Sequence, residues 1–383
     1  MKYCLYLFFL CFVLSANAQN PDSLISDVYH NQMFDYLEEI NSGSTKNFIN
    51  AFNEDKFLDR MFADIPTDSY DLRQFRSGVK NSVKPSISSI FSSFTEFEYV
   101  NYTQTENSFS ILIRCEAGEA GLNYLEFEVD VESRDELRII DIFSYFSGEY
   151  ISTTMNRNAK MIISENGMIS NILNSLNVKE KEFTQSLPKL VKMQKYRSMG
   201  DFEEILKVYD SLSKSMKQEK IFLLTAISAA QTTDEMRYLK LIKEYENEFP
   251  DDPSLPLLTL DYYLLRGELE TAHEQIDKLD EIVGGDNYLN VIRSTICSIA
   301  EDLTCARSYL ETAIENNEFE EDAYFGLLEL ELASGNFKKV NDHLSALENI
   351  FGYEFSRESM QKVEIYKSYL ESEEFKKWQS TKN

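Results

Sequence analysis

The 383-residue chain is poor in histidine, proline, glycine and cysteine. Three His leave little for His-centred catalysis or a His-rich zinc site. Seven Pro and thirteen Gly exclude a collagen-like or linker-rich protein. Positive charge is also short: 38 Lys+Arg against 65 Asp+Glu give a net charge of −27. A duplex carries one negative charge per ~1.7 Å, so nucleic acid is a disfavoured partner, and so is an anionic lipid surface. After the first twenty residues no run is long and apolar enough to span a bilayer. The chain also lacks a G-x-S-x-G elbow, a Walker loop, a G-x-G-x-x-G turn, H-E-x-x-H and an EF-hand loop. S-x-x-K occurs at Ser77–Lys80 and Ser211–Lys214, without the companion K-T-G. His30, His273 and His343 fall in three separate predicted helices and do not make a metal set. No catalytic residue, metal or cofactor is expected, and the enzyme classes that need these motifs drop out.

The N-terminus reads as an export signal. Lys2 precedes the apolar run Cys4–Leu14, and Ser15-Ala16-Asn17-Ala18 offers small residues two apart before Gln19. Cys11 follows Leu10, where a lipobox wants a small residue, so export without an anchor is expected. Residues 1–18 are then a signal peptide, and the destination is the periplasm or the exterior of a bacterial cell. Cys115, Cys297 and Cys305 remain after cleavage. Cys297 and Cys305 each lie four residues from Glu301, on either side of a predicted helix–helix turn. In an oxidising compartment they are either a disulfide or two buried apolar thiols.

Residues 19–150 predict an α+β domain. Asp22–Ile40, Thr45–Met61 and Leu72–Phe94 read as helices, the last expected to break or kink at Pro85. The period then changes to two. Phe97–Thr103, Phe109–Cys115, Asn123–Val131 and Leu137–Phe146 predict a four-stranded antiparallel meander. In the third run Leu125, Phe127, Val129 and Val131 alternate with Glu126, Glu128 and Asp130, so one face is expected buried and the other wet. A helix is expected from Gly148 to about Leu176, within a connector over 151–185. This element order resembles NTF2-like and cystatin-like domains, a likeness of arrangement that implies no function.

From about residue 186 the sequence repeats. Met199-Gly200-Asp201-Phe202, Arg266-Gly267-Glu268-Leu269 and Ser334-Gly335-Asn336-Phe337 are turns spaced by 67 and 68 residues. Turns near Thr233 and Glu301 halve each gap. Positions 2, 5, 9 and 12 after each turn are apolar in all but one case, Glu235, and form one helical stripe. The period and the small residues Ala272, Ala306 and Ala313 resemble the tetratricopeptide repeat (TPR) family over residues 186–383. The fold class is therefore multidomain, an α+β domain followed by an all-α TPR-like solenoid of about five repeats with C-terminal capping helices. The tail holds the only Trp, Trp378, read as a cap on the last repeat.

The TPR resemblance implies that first helices line a concave groove. It places Arg197, Ile227, Asp261, Leu264, Tyr288, Phe325 and Glu329 there. Leu190 and Gln194 stand where the chaperone-binding clamp has Lys and Asn, so a chaperone tail is not the expected partner. Residues 251–336 hold 20 acidic and four basic residues, a charge of −16. That run is either a solvated surface or a field favouring a basic partner. Asp141 sits in the apolar run Ile139–Phe143. It is satisfied by a backbone amide or Arg138, or faces solvent at an edge, or lines a ligand cavity with Tyr124 or Tyr145. The expected function is an exported, non-catalytic scaffold whose repeats hold a protein or peptide. The alternative is a small-molecule-binding or lyase/isomerase-type NTF2-like domain carried on a TPR module.

Overall fold

The computed structural model describes residues 21–65, 69–92, 94–116, 121–133, 135–165 and 178–382. The expected signal peptide, and the end of the helix expected up to Leu176, lie outside the described residues.

Four helices open the described chain: α1 (Pro21–Asn41), α2 (Lys46–Asn50), α3 (Glu54–Met61) and α4 (Tyr70–Phe91). The single helix expected over Thr45–Met61 is two. The chain breaks where the Asn53 side chain caps α3 by accepting from the Lys56 N–H. The Asn53 N–H donates to the Ile139 carbonyl, which ties the break to the sheet. By contrast, α4 continues through Pro85, so of the break or kink expected there the break does not occur. Val83 and Ile87 are buried on either side, so packing holds the helix across the missing donor.

Five strands follow: β1 (Glu96–Gln104), β2 (Phe109–Glu116), β3 (Leu122–Val129), β4 (Ile139–Ser144) and β5 (Glu149–Tyr150). They form an antiparallel meander in chain order, one strand more than the four expected. β5 has two residues, too few to show a period. Gly148, at φ 59°, turns the chain into it. α5 (Ile151–Glu165) then packs on β4.

One sheet face meets the opening helices. Phe109, Ile111, Ile113, Leu125, Phe127 and Val129 share a core with Tyr29, Phe48, Phe57 and Phe91. The other face is covered too, contrary to the expectation of a wet surface. Leu112, Tyr124 and Tyr145 join a second core built by the C-terminal helices. The acids of β3 and its end find partners: Glu128 pairs with Arg60, Asp130 with Lys56, and Glu126 accepts from Ser110 and Tyr145.

The remaining described residues are mainly helical. They include α6 (Val178–Ser198), α7 (Phe202–Asp210), α8 (Lys214–Lys217), α9 (Lys220–Thr233), α10 (Glu235–Glu248), α11 (Leu255–Leu265), α12 (Leu269–Val283), α13 (Leu289–Ile299), α14 (Leu303–Asn316), α15 (Glu321–Ser334) and α16 (Phe337–Phe351). Residue 186, the expected start of the repeats, falls inside α6. From α9 to α16 each helix packs on the next. All fifteen residues at positions 5, 9 and 12 after the turns are buried, from Ile205 to Leu347. Gly200, Gly267 and Gly335 are left-handed at φ 71°, 68° and 72°. Glu301 adopts the same conformation at φ 59°, alone among non-glycine residues described. The turn at 233 differs: Asp234 is extended and caps α10 through the Arg237 N–H. The apolar pattern is weak in α13 because it buries Arg293, which pairs with Asp277 and Asp280 of α12.

The tail folds as α17 (Arg357–Met360), a 3-10 turn (Glu364–Tyr366), α18 (Lys367–Leu370) and α19 (Glu373–Ser380). Trp378 is buried there in one core with Phe375, Tyr369 and Leu344, which closes the last helical hairpin. No described helix is long and apolar enough to cross a membrane.

Candidate functional site

Two places gather polar groups in a way the core does not require. The first is the joint between the sheet and the loops that link successive hairpins. Lys220 Nζ donates to the Gly148 carbonyl at 3.0 Å and pairs with Asp252. Asn101 Nδ2 donates to the Val283 carbonyl at 2.6 Å. Arg114 Nη1 lies 2.8 Å from Asp286, and Nη2 lies 2.5 Å from Glu98. The Arg114 guanidinium also stacks over the Tyr288 ring at 4.1 Å, and the Tyr124 hydroxyl donates to Asp286 at 2.7 Å. Burial opposes the charge on Arg114, yet Asp286 and Glu98 hold its pKa above the usual value.

Beside Arg114 the joint opens into a cleft of about 360 Å³. Glu96, Glu98, Glu116, Glu320, Glu321 and Asp322 line it, with Arg114 the one cation among the described lining residues. Burial pushes Glu320 up to about 7, against the pull of Arg114 and the Asn287 amide. Burial raises Glu96 as well, helped by Glu98 and Glu116, and raises Asp322, helped by Glu321. Among the described residues no three His, Cys, Asp or Glu are grouped so as to hold a metal ion. Sequence reasoning missed this joint. Its one local signal is Arg114, a lone cation in the run Phe109–Cys115.

The second place lies at the opposite ends of these helices, beside the turns at 233 and 267. Asp261 and Leu264 of α11 line a cleft of about 230 Å³ with Gln231, Glu235, Tyr238 and Leu265. Solvent reaches Asp261, but the packing around its carboxyl raises the pKa by desolvation. Among the described residues no hydrogen bond or ion pair reaches that carboxyl.

The other residues expected in the groove are dispersed. Arg197 is exposed, 3.4 Å from the Ser228 hydroxyl. Ile227 is 2% exposed and belongs to the core, because its side chain lies on the packed stripe of α9. Tyr288 lies beneath Arg114 of the sheet. Phe325 packs edge-on against Tyr353 at 5.1 Å. Glu329 is exposed, and its charge raises the pKa of Tyr366 in the tail, after burial. The structure therefore brings Asp261 and Leu264 together and leaves Arg197 open.

Asp141, Tyr124 and Tyr145 share a sheet face, and each is engaged by partners of its own. Asp141 is buried and accepts from the Ser152 hydroxyl at 2.5 Å, the Ser152 N–H and the Ile142 N–H, with Arg60 at 3.5 Å. Burial raises its pKa against those partners. Arg138, named as a candidate partner, instead bonds Glu136 and the Asn50 carbonyl. Tyr124 is committed to Asp286, and Tyr145 donates to Glu126 at 3.3 Å. Cys297 and Cys305 are joined as a disulfide with Cα atoms 5.7 Å apart, and Cys115 is a buried free thiol.

The chain matches no family model, no curated protein and no solved structure.

Proposed function

We propose that the chain is an exported, non-catalytic binding protein in which TPR-like hairpins form a solenoid that holds a protein or peptide. One observation carries the reading. The sheet takes up the loop edge of the helical stack, while large apolar side chains stand exposed along the turn edge. Met199, Met236, Leu265, Ile299 and Leu303 flank the turns at 200, 233, 267 and 301, and each is more than 40% exposed. Single exposed apolar residues are ordinary, but a row recurring with the repeat beside an open cleft is suited to docking.

The buried stripe, which recurs about every 34 residues, and the left-handed turns at 200, 267, 301 and 335 support the TPR likeness. The charge of −16 over residues 251–336 favours a basic partner, and the signal-like N-terminus favours the periplasm or cell exterior. The small-molecule alternative loses support, since Asp141 spends its carboxylate on Ser152, Ile142 and Arg60.

The test is capture from cell-envelope extract by residues 19–383, followed by reconstitution with the purified partner. One partner that rebinds the purified chain and is released by salt is expected. A purified chain that rebinds no envelope protein but turns over a small molecule would contradict the reading.

A further inference from the structure

We infer that the cleft between α9, α10 and α11 receives one lysine or arginine side chain from an extended basic segment of the partner, with Asp261 as the counter-charge. The inference rests on the binding reading above and adds the chemistry of its anchor.

Size comes first. About 230 Å³ is below the ~300–1,000 Å³ of pockets that enclose a drug-sized ligand, so the cleft has the scale of a single side chain. Its walls come next. Leu264, Leu265 and the Tyr238 ring are apolar, whereas Gln231, Glu235 and Asp261 are polar. Lysine and arginine join a long apolar stem to a cationic head, and that pairing matches these walls.

The charge is not met from within. On the same elements Arg237 pairs with Asp210, and Arg266 at the end of α11 pairs with Glu268. Lys240 and Lys243 of α10 pair with Glu244 and Glu246. Asp261 stands at the solvent-open mouth of the cleft without an ionic partner, so a docking cation would meet an unpaired carboxylate. An acidic side chain entering the cleft would meet two carboxylates, and an aliphatic one would bury Asp261 unpaired. The excess negative charge of residues 251–336 also steers a basic segment toward this end of the stack.

The experiment immobilises residues 19–383 and measures retention of random nonapeptide pools with one position fixed as Lys, Arg, Leu or Glu. Wild type is expected to retain the Lys and Arg pools about tenfold better than the Glu pool. Asp261→Asn should erase most of the preference of Lys and Arg over Leu. Glu270→Gln, at an exposed acid of α12, should leave it intact. Equal losses in the two variants would mean that only net charge matters and would overturn the anchor. Preference for the Leu pool would also overturn it while sparing the binding reading. Retention of no pool by wild type would sink both.

Discussion

Arg114 on β2 lies 2.8 Å from Asp286, 172 residues later, on the loop between α12 and α13. Both side chains are buried, and Tyr124 and Tyr288 enclose the pair. The pair fastens the α+β half to the helical half. Removing one partner of a buried ion pair leaves the other charge stranded, which costs about 3–5 kcal/mol. Arg114→Met is expected to lose that much in urea unfolding. Arg114→Met combined with Asp286→Leu should lose clearly less than the two single losses added. A single loss under ~1 kcal/mol would show that the pair is not a fastening.

Stability should fall with rising pH through the Glu320 carboxyl. Its folded pKa of about 7 is above the ordinary value of 4.5, so the folded state binds the proton more tightly. The stabilising contribution is fully present below about pH 4.5 and is lost as pH rises toward 7. A shift of that size corresponds to roughly 3 kcal/mol at most. Glu320→Gln should flatten the decline in urea midpoint between pH 5 and about 7.5. A wild-type chain with an equally flat profile would disprove the assignment.

Gly326 in α15 faces Leu310 of α14. A Cβ there would meet the Leu310 methyls at 2.9 and 3.0 Å, and Leu310 is buried. Gly326→Ala gains about 1 kcal/mol of helix propensity but overpacks the contact by about 1–3 kcal/mol. Net destabilisation is expected, and Leu310→Val in the same chain should relieve part of it. A Gly326→Ala chain more stable than wild type would mean that the helices separate freely.

Residues 19–383 unfolded in denaturant should show one reactive thiol, Cys115, before reduction and three after. Closing the short Cys297–Cys305 loop contributes about 2–3 kcal/mol in the chain-entropy model. Cys297→Ser with Cys305→Ser should lower the urea stability by that amount. Three thiols before reduction would contradict the bridge.

Periodic features were legible in the sequence because they are local. The stripe through Ile205, Tyr209 and Leu212 repeats with the helix, and Leu125, Phe127 and Val129 repeat with the strand. What escaped is non-local. Glu126 and Glu128 read as a wet face, yet Arg60, Ser110 and Tyr145 reach them from other elements. Tyr124 stood out as a cavity-lining residue, and its hydroxyl serves a loop 162 residues away. Pro85 reads as a break or a kink, and Val83 and Ile87, buried on either side of it, hold α4 unbroken. Of the groove residues expected from the TPR likeness, Asp261 and Leu264 share a cleft because both lie near the end of α11, whereas Tyr288 falls beneath Arg114.

The most direct test of the binding account is a titration of the captured, purified partner against residues 19–383 and their Asp261→Lys variant, at low salt and at about 0.3 M salt. The account predicts specific binding by wild type, weaker at high salt, and at least about tenfold weaker after the charge reversal, a difference of ~1.4 kcal/mol. Equal affinity of both chains at both salt concentrations would contradict it.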